Sequence, residues 1–362
     1  MARTITGIRT PEMRRRARQN AEKQQRVILY RMLATAVLLR HACGIAAAAG
    51  SSGWWLTALC TLPGLGMYAL MRFALRRTGV QSVPELARKC LGQSALRWVN
   101  AVPAAALTIE GAASVTSLTA LFTDSLITTV DAWLFALAAA AVLCLCTGRD
   151  GLLHGASLLR WVLGALAAAV FGNMLLKAKP NHLFPVGGDG PTSWMSMIGA
   201  WWGMAWPVVL MLWEVPAEGR SRRPLLPAVM AVSAVFALCL ALPHEVLSDS
   251  AQSLPRTLAE RMLLPGTALQ PAIRMLLMCL WTAGLALTAL IASVRAADLL
   301  LPSPPVARWL PCALLLLFAA LQQLDGDWLH SMVFTADRWL LAPFAVVAAA
   351  LLIISLHRRK GL

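Results

Sequence analysis

Long apolar runs alternate with short polar segments along almost the whole chain, and most of the runs hold about 20 residues. A helix of that length matches the hydrocarbon thickness of a bilayer. Each run therefore predicts a membrane-spanning helix. The ten predicted spans cover residues 27–49, 54–75, 98–121, 130–147, 153–176, 194–214, 224–243, 272–297, 306–323 and 337–356. The predicted fold is an all-α polytopic membrane protein. Its transmembrane domain covers 27–357, between basic tails at 1–26 and 358–362.

Composition excludes the other broad classes of protein. Hydrophobic residues make up 58% of the 362 residues, and charged residues only 14%, against about 25% in a soluble domain. The mean hydropathy is +0.65. Soluble multidomain, disordered, collagen-like and coiled-coil chains all have a different balance, so the chain is expected to reside in the cell membrane.

The distribution of lysine and arginine predicts which side of the membrane each loop occupies. Cytoplasmic loops of membrane proteins are enriched in these residues. With the N-terminus inside, and with basic residues near the span ends counted with the adjacent loop, 24 of the 32 basic residues fall on the cytoplasmic side and 6 on the outer side. Arg40 and Arg160 lie deeper within spans. This asymmetry favours ten helices with both termini in the cytoplasm.

Three loops are long enough to fold locally. The basic inner loop 76–97 contains a predicted interfacial helix at Val83–Leu91. The outer loop 177–193 has an irregular sequence, rich in glycine and proline. The longer outer loop 244–271 contains a predicted helix from Leu254 to Leu264.

Nucleic-acid binding and enzymatic activity both lack the sequence features they need. The net charge of +15 resides in tails and loops, and no basic face carries interleaved aromatic residues. No P-loop, nucleophile elbow or zinc-protease motif is present. Asp325 and Asp327 form an isolated pair in a predicted short outer loop. The eight cysteines lack metal-site spacing and are interpreted as small apolar residues. No cofactor or metal site is expected.

Ten helices divide naturally into two sets of five. In transporters built as inverted repeats, the solute site lies at mid-membrane between helices interrupted by glycine or proline. The first span of each half is therefore the place to look. In the first span, Cys43 and Gly44 lie near mid-membrane. In the sixth span, Gly203 and Pro207 form the clearest interruption, and Pro207 leaves the Gly203 carbonyl without its usual donor. Glycine and proline are also common in ordinary membrane helices, so packing is the alternative.

Ionisable residues inside spans are costly and therefore become candidates for function. Glu110 lies midway along the third span and would hold a substrate amine, relay a proton, or pair with Arg40 or Arg160 to neutralise charge. Arg40 would bind a carboxylate or extend toward the interface, and Arg160 would extend or pair.

Polar and aromatic neighbours complete the predicted pocket between the first, third, sixth and eighth spans. Thr282 is expected to be a polar contact there. Trp202 and Trp206 would form its wall or pack against other helices. The hydroxyl groups of the third and eighth spans would either coordinate sodium or bond to their own helix.

Five short segments resemble the spore germination permeases, the B subunits of GerA-type germinant receptors, which belong to the amino acid–polyamine–organocation transporter superfamily. These segments run from Gly50 to Leu56, Val83 to Gly92, Leu183 to Gly188, Leu254 to Thr257 and Trp281 to Gly284. The resemblance covers about residues 27–357 and lies more in layout than in dense motifs. The sixth span departs from it, because the Gly-x-Glu common in the family is absent.

The resemblance implies a leucine-transporter-like fold and a role in sensing a small nutrient, usually an amino acid. Such a subunit works with A and C subunits in the spore inner membrane. Nutrient binding would shift the balance between helix arrangements, and the partner subunits would respond. The alternative function is an ion-coupled secondary transporter of amino acids or amines that acts without partners.

Overall fold

The structure is a computed structural model. It describes residues 50–125, 193–203, 205–214, 270–300 and 326–358, together with scattered positions elsewhere. Every element in these ranges is helical. A short 3-10 helix at Gly50–Ser52 precedes eight α-helices: α1 (Gly53–Thr78), α2 (Val83–Leu91), α3 (Gln93–Ser125), α4 (Trp194–Trp201), α5 (Trp206–Glu214), α6 (Gln270–Leu300), α7 (Gly326–Trp339) and α8 (Leu341–Arg358).

Three of these helices are long and apolar enough to cross a membrane. Their apolar segments cover Trp55–Thr78, Gln93–Leu118 and Thr282–Leu300. They correspond to the second, third and eighth predicted spans. Over the described part, this confirms an all-helical chain with helices long and apolar enough to cross a membrane. A shorter apolar segment, Leu341–Ile354, lies in the tenth span.

The first span is described at six positions, all of them helical and buried. They are spaced three or four residues apart and so lie on one face of a helix: Tyr30, Leu33, Val37, His41, Ile45 and Ala49. The fourth and seventh spans and the predicted helix at 254–264 lie outside the described residues.

Helix α1 ends in a tight turn that brings α2 back against the bundle. Gly79 takes the left-handed conformation at φ 65°, which a residue without Cβ adopts readily. Its N–H donates to the Arg76 carbonyl at 3.3 Å, and the N–H of Val80 donates to the Leu75 carbonyl at 3.1 Å. This pair of bonds is the Schellman arrangement, which satisfies carbonyls at a helix end.

Helix α2 has the bounds predicted for the interfacial helix, Val83–Leu91. Pro84 lies in its first turn, where its missing N–H is of no consequence. The Glu85 carboxylate accepts from the Gln81 N–H at 3.0 Å. One face is buried and packs against α3, α5 and α8: Val83, Leu86, Ala87 and Cys90. Cys90, which the sequence placed in a basic loop, is therefore part of the core.

The tenth predicted span differs from the structure. Residues 324–336 were expected to form an outer loop, whereas α7 is helical from Gly326 and includes Asp327. This helix ends at Trp339, and α8 begins at Leu341. The break has a local cause, since Pro343 cannot donate to the Trp339 carbonyl and its ring crowds that group.

The closest helix pair among the described elements is α3 with α6. Small residues line the contact, as expected where helix backbones approach each other in a membrane. Ala112, Ala113 and Val115 pack against Ala289 and Leu290. These five residues belong to what we call the upper cluster. A larger apolar cluster, the lower cluster, joins α3 and α6 to α1, α2, α5 and α8.

Four long-range contacts join residues that the sequence assigns to the same membrane level. On the outer side, the Trp55 indole donates to the Val186 carbonyl at 2.9 Å. At mid-membrane, Gly64 contacts Ala205. On the inner side, the Trp213 indole donates to the Val99 carbonyl at 3.2 Å, and the Arg295 guanidinium lies 5.7 Å from the Tyr30 ring centroid. The assignment of these levels to the two sides of the membrane stays a prediction.

The bond from Trp213 to Val99 answers a defect within α3. Pro103 lies inside that helix and has no N–H to donate to the carbonyl four residues earlier, which is that of Val99. Trp213 is 2% exposed and Val99 is 6% exposed, so solvent water cannot serve as the donor. The indole N–H takes the place of the missing backbone donor and ties α5 to α3.

Replacing Trp213 with Phe should destabilise the folded protein by about 1–2 kcal/mol, because the buried Val99 carbonyl loses its donor. In a Pro103→Ala background the new backbone N–H can reach that carbonyl, so the same change should cost about 1 kcal/mol less. Unfolding of the detergent-solubilised protein measures all four variants. Trp339→Phe is the control, since its indole is half exposed. Additive effects of the two changes would refute the assigned role.

Candidate functional site

The sixth span is interrupted in the middle, as the sequence predicted. Helix α4 ends at Trp201 and α5 begins at Trp206, with Trp202, Gly203 and Ala205 in turns. The negative end of one short helix thus meets the positive end of another. Gly203 and Ala205 are both buried, so this helix break lies inside the protein.

Two local hydrogen bonds partly close the break. The Trp206 N–H donates to the Gly203 carbonyl at 3.2 Å, and the Val208 N–H donates to the Ala205 carbonyl at 3.1 Å. The carbonyl that Pro207 leaves without a donor is therefore taken by the residue before the proline. Gly203 keeps a second lone pair, because a carbonyl oxygen accepts two hydrogen bonds.

Gly64 of α1 lies directly against the break, and sequence reasoning missed it. A Cβ added at Gly64 would overlap the Ala205 Cβ and lie 2.8 Å from the Ala205 carbonyl oxygen. Only glycine lets the two backbones approach this closely. The available signal was the Pro63-Gly64 pair inside an apolar run, which resembles the interruption sought in the first and sixth spans.

The two tryptophans flanking the break contact the last two helices. Trp206 is fully buried and stacks on Phe344, with ring centroids 5.9 Å apart and an angle of 16°. Trp202 is half-buried and meets Trp339 edge to face at 6.3 Å. Trp213 packs perpendicular to the same Phe344 at 5.3 Å. Trp206 thus packs against α8, and its role as a wall of the predicted pocket stays a prediction.

Glu110 is 1% exposed and lies in the middle of α3. The Ser114 hydroxyl donates to its carboxylate Oε1 at 3.4 Å, a long and weak bond. Glu110 falls between the two apolar clusters of the helix pair, since Leu107 belongs to the lower one and Ala112 to the upper one. A carboxylate at this depth is costly without compensation.

Most hydroxyl groups near Glu110 bond back to their own helix. Thr108 donates to the Ala104 carbonyl at 2.8 Å, Thr116 to that of Ala112, and Thr288 to that of Gly284 at 2.8 Å. The back-bonding interpretation is therefore confirmed for these three threonines, and their hydroxyl protons are already engaged.

Ser293 on α6 behaves differently. It is 1% exposed, and within the described part of the chain its hydroxyl has no hydrogen-bond partner. It lies between Ala292 and Ala296 of the lower cluster, about one turn from Leu290 of the upper one. Nothing in the sequence distinguishes Ser293 from the neighbouring hydroxyl residues.

Thr282 is half-buried on α6, nearer the outer end of that helix than Ser293. The other predicted residues lie outside the described residues: Arg40, Cys43, Gly44 and Arg160. The proposed charge pairing of Glu110 with either arginine stays a prediction.

The break sets the C-terminal end of α4 against the N-terminal end of α5. The dipole at the start of α5 favours a negative charge, and the C-terminal carbonyls of α4 favour a positive one. In the first turn of α5, Trp206 and Val208 already donate their N–H groups locally, and Pro207 has none. Glu110 and Ser293 provide a buried charge and a buried hydroxyl on α3 and α6.

Searches of protein-family models and of curated proteins found no match to this chain.

The Gly64→Ala variant should destabilise the protein by about 1–3 kcal/mol, because the added methyl overlaps the backbone at Ala205. Gly66→Ala is the matched control in the same helix. A Cβ at Gly66 meets nothing within 4 Å, so this change should be neutral or stabilising by up to about 1 kcal/mol. Thermal unfolding in detergent compares the two variants. Equal changes in stability in the two variants would show that α1 does not pack closely against the break.

Proposed function

We propose that this protein is a permease-like membrane subunit that binds a small nutrient, an amino acid in the first instance, at the break in its sixth span. The proposal extends to a spore germinant receptor, in which A and C partner subunits respond to the bound state in the spore inner membrane. The observation that carries the binding proposal is the buried interruption between Trp201 and Trp206.

The chemistry of the break matches the two charges of an amino acid. In broken-helix transporters, half-helix N-termini bind substrate carboxylates, while half-helix C-termini and unwound carbonyls bind cations. Here α4 and α5 present both kinds of end to one buried segment. Glu110 supplies a further negative charge for an amine, at the same helix pair as Ser293.

Signalling by such a protein requires that the ligand prefer one helix arrangement over another. A hundredfold preference corresponds to about 2.7 kcal/mol of coupling free energy. Contacts reach from the break to several helices, because Gly64 links it to α1, Phe344 links it to α8 and Trp213 links α5 to α3. Repositioning of α5 on binding would therefore be felt by three other helices.

Glu110→Gln should weaken binding of an amino-acid ligand at least tenfold, since it removes the charge but keeps the shape. Binding of a panel of radiolabelled amino acids to the purified protein measures the effect. Glu85→Gln is the control, because Glu85 is exposed on α2 and far from the break. Unchanged affinity in Glu110→Gln would remove Glu110 from the site, and no binding by any amino acid would refute the ligand class.

The receptor role and the transporter role are separated by two further measurements. Spores of a strain lacking the gene should fail to germinate with one nutrient, and the wild-type gene should restore the response. Uptake of the same nutrient into proteoliposomes under an ion gradient, without partner subunits, would instead establish the secondary transporter. A source organism that forms no spores would exclude the receptor role.

A further inference from the structure

The inner loop and the two helix ends that flank it form a strongly basic segment, residues 72–98, which we call the basic corner. It holds six cationic side chains and a single carboxylate: Arg72, Arg76, Arg77, Arg88, Lys89, Arg97 and Glu85. The carboxylate accepts the Gln81 N–H at 3.0 Å, so it serves the start of α2. The positive charge of the corner thus greatly exceeds its negative charge.

Five of the six cations of the basic corner are exposed, and Arg72 is half-buried. The apolar face of α2 is turned into the bundle, where Val83 and Leu86 are fully buried. Its opposite face carries Arg88 and Lys89, both exposed. Arg76, Arg77 and Arg97 are exposed as well, on the ends of the two adjoining helices.

Two exposed aromatic side chains lie on the helix ends that flank these cations. Trp98 is 79% exposed in the second turn of α3, and Phe73 is 56% exposed near the end of α1. The Arg77 guanidinium lies 6.0 Å from the centroid of the Phe73 ring. Both aromatics lie at the ends of membrane-spanning helices, where headgroups meet hydrocarbon and where tryptophan is enriched.

We propose that the basic corner binds the headgroups of anionic phospholipids in the adjacent leaflet, which the charge distribution predicts to be the cytoplasmic one. Lysine and arginine side chains at a membrane surface attract the headgroups of anionic lipids. Exposed Phe73 and Trp98 place apolar surface where lipid chains begin, which favours lipid over a soluble acidic protein. The proposal needs only membrane insertion and does not depend on the nutrient.

The experiment compares binding of phosphatidylglycerol and phosphatidylcholine to the purified full-length protein by native mass spectrometry. The test variant is Arg76→Gln/Arg77→Gln/Arg88→Gln. The matched control removes three arginines from another predicted cytoplasmic loop: Arg220→Gln/Arg222→Gln/Arg223→Gln. A third variant, Arg76→Lys/Arg77→Lys/Arg88→Lys, keeps the charges. Thermal unfolding of each variant checks that the fold is intact.

The wild-type protein should prefer phosphatidylglycerol, and the test variant should lose about tenfold or more of that affinity. The control and the lysine variant should keep it, and inorganic phosphate at the same concentration should not compete. Equal losses in test and control variants would mean that net charge, not this surface, attracts the lipid. An undiminished preference in the test variant would also overturn the proposal and leave an acidic protein as the partner of the basic corner. Loss in the lysine variant would overturn it too.

Discussion

Everything in this structure depends on satisfying backbone carbonyls where water is absent. A proline inside a membrane helix removes one donor, and the deprived carbonyl must find another or the helix must stop. Three prolines show three solutions. The Val99 carbonyl, deprived by Pro103, accepts from the Trp213 indole. The Gly203 carbonyl, deprived by Pro207, accepts from the next available backbone N–H. At Pro343 the preceding helix ends at Trp339.

The consequences differ because the replacement donors lie at different distances along the chain from the carbonyl they satisfy. A replacement donor from 114 residues away fastens two helices together and keeps α3 continuous. A replacement three residues away holds a tight turn, which leaves the span as two short helices with their ends facing one another. The second solution creates the polar, buried segment on which solute binding is proposed. The first fixes the inner end of α5 while its outer end borders that segment.

Local features were predictable from the sequence. The length of apolar runs located α1, α3 and α6, and the helix predicted in the basic inner loop has the observed bounds of α2, Val83–Leu91. Glycine and proline in the sixth span located its break. Each of these features depends on residues close together in the chain, where periodicity and proline geometry are sufficient.

Contacts between residues of different helices were not predictable, because they depend on which helices become neighbours in the fold. Nothing local assigns the Trp213 indole to Val99, or distinguishes Gly64 from Gly66. Nothing local indicates that Trp206 stacks on Phe344. Ser293 was one hydroxyl among several until its lack of a partner among the described residues distinguished it. The break at Leu340 was missed because the residues around it form one apolar run. The proline that causes it, Pro343, lies three residues further along and not at the break itself.

The contact between Gly64 and Ala205 has a mechanical consequence. Only the Ala205 Cβ and backbone face Gly64 there, and a methyl group has no rotamer change that could absorb a displacement. The outer end of α5 can swing away from α1, but it cannot move toward it. The contact therefore limits movement of α5 in one direction only. Because the Trp213 indole holds the inner end of the same helix against α3, movement at the break becomes a tilt of α5 away from α1.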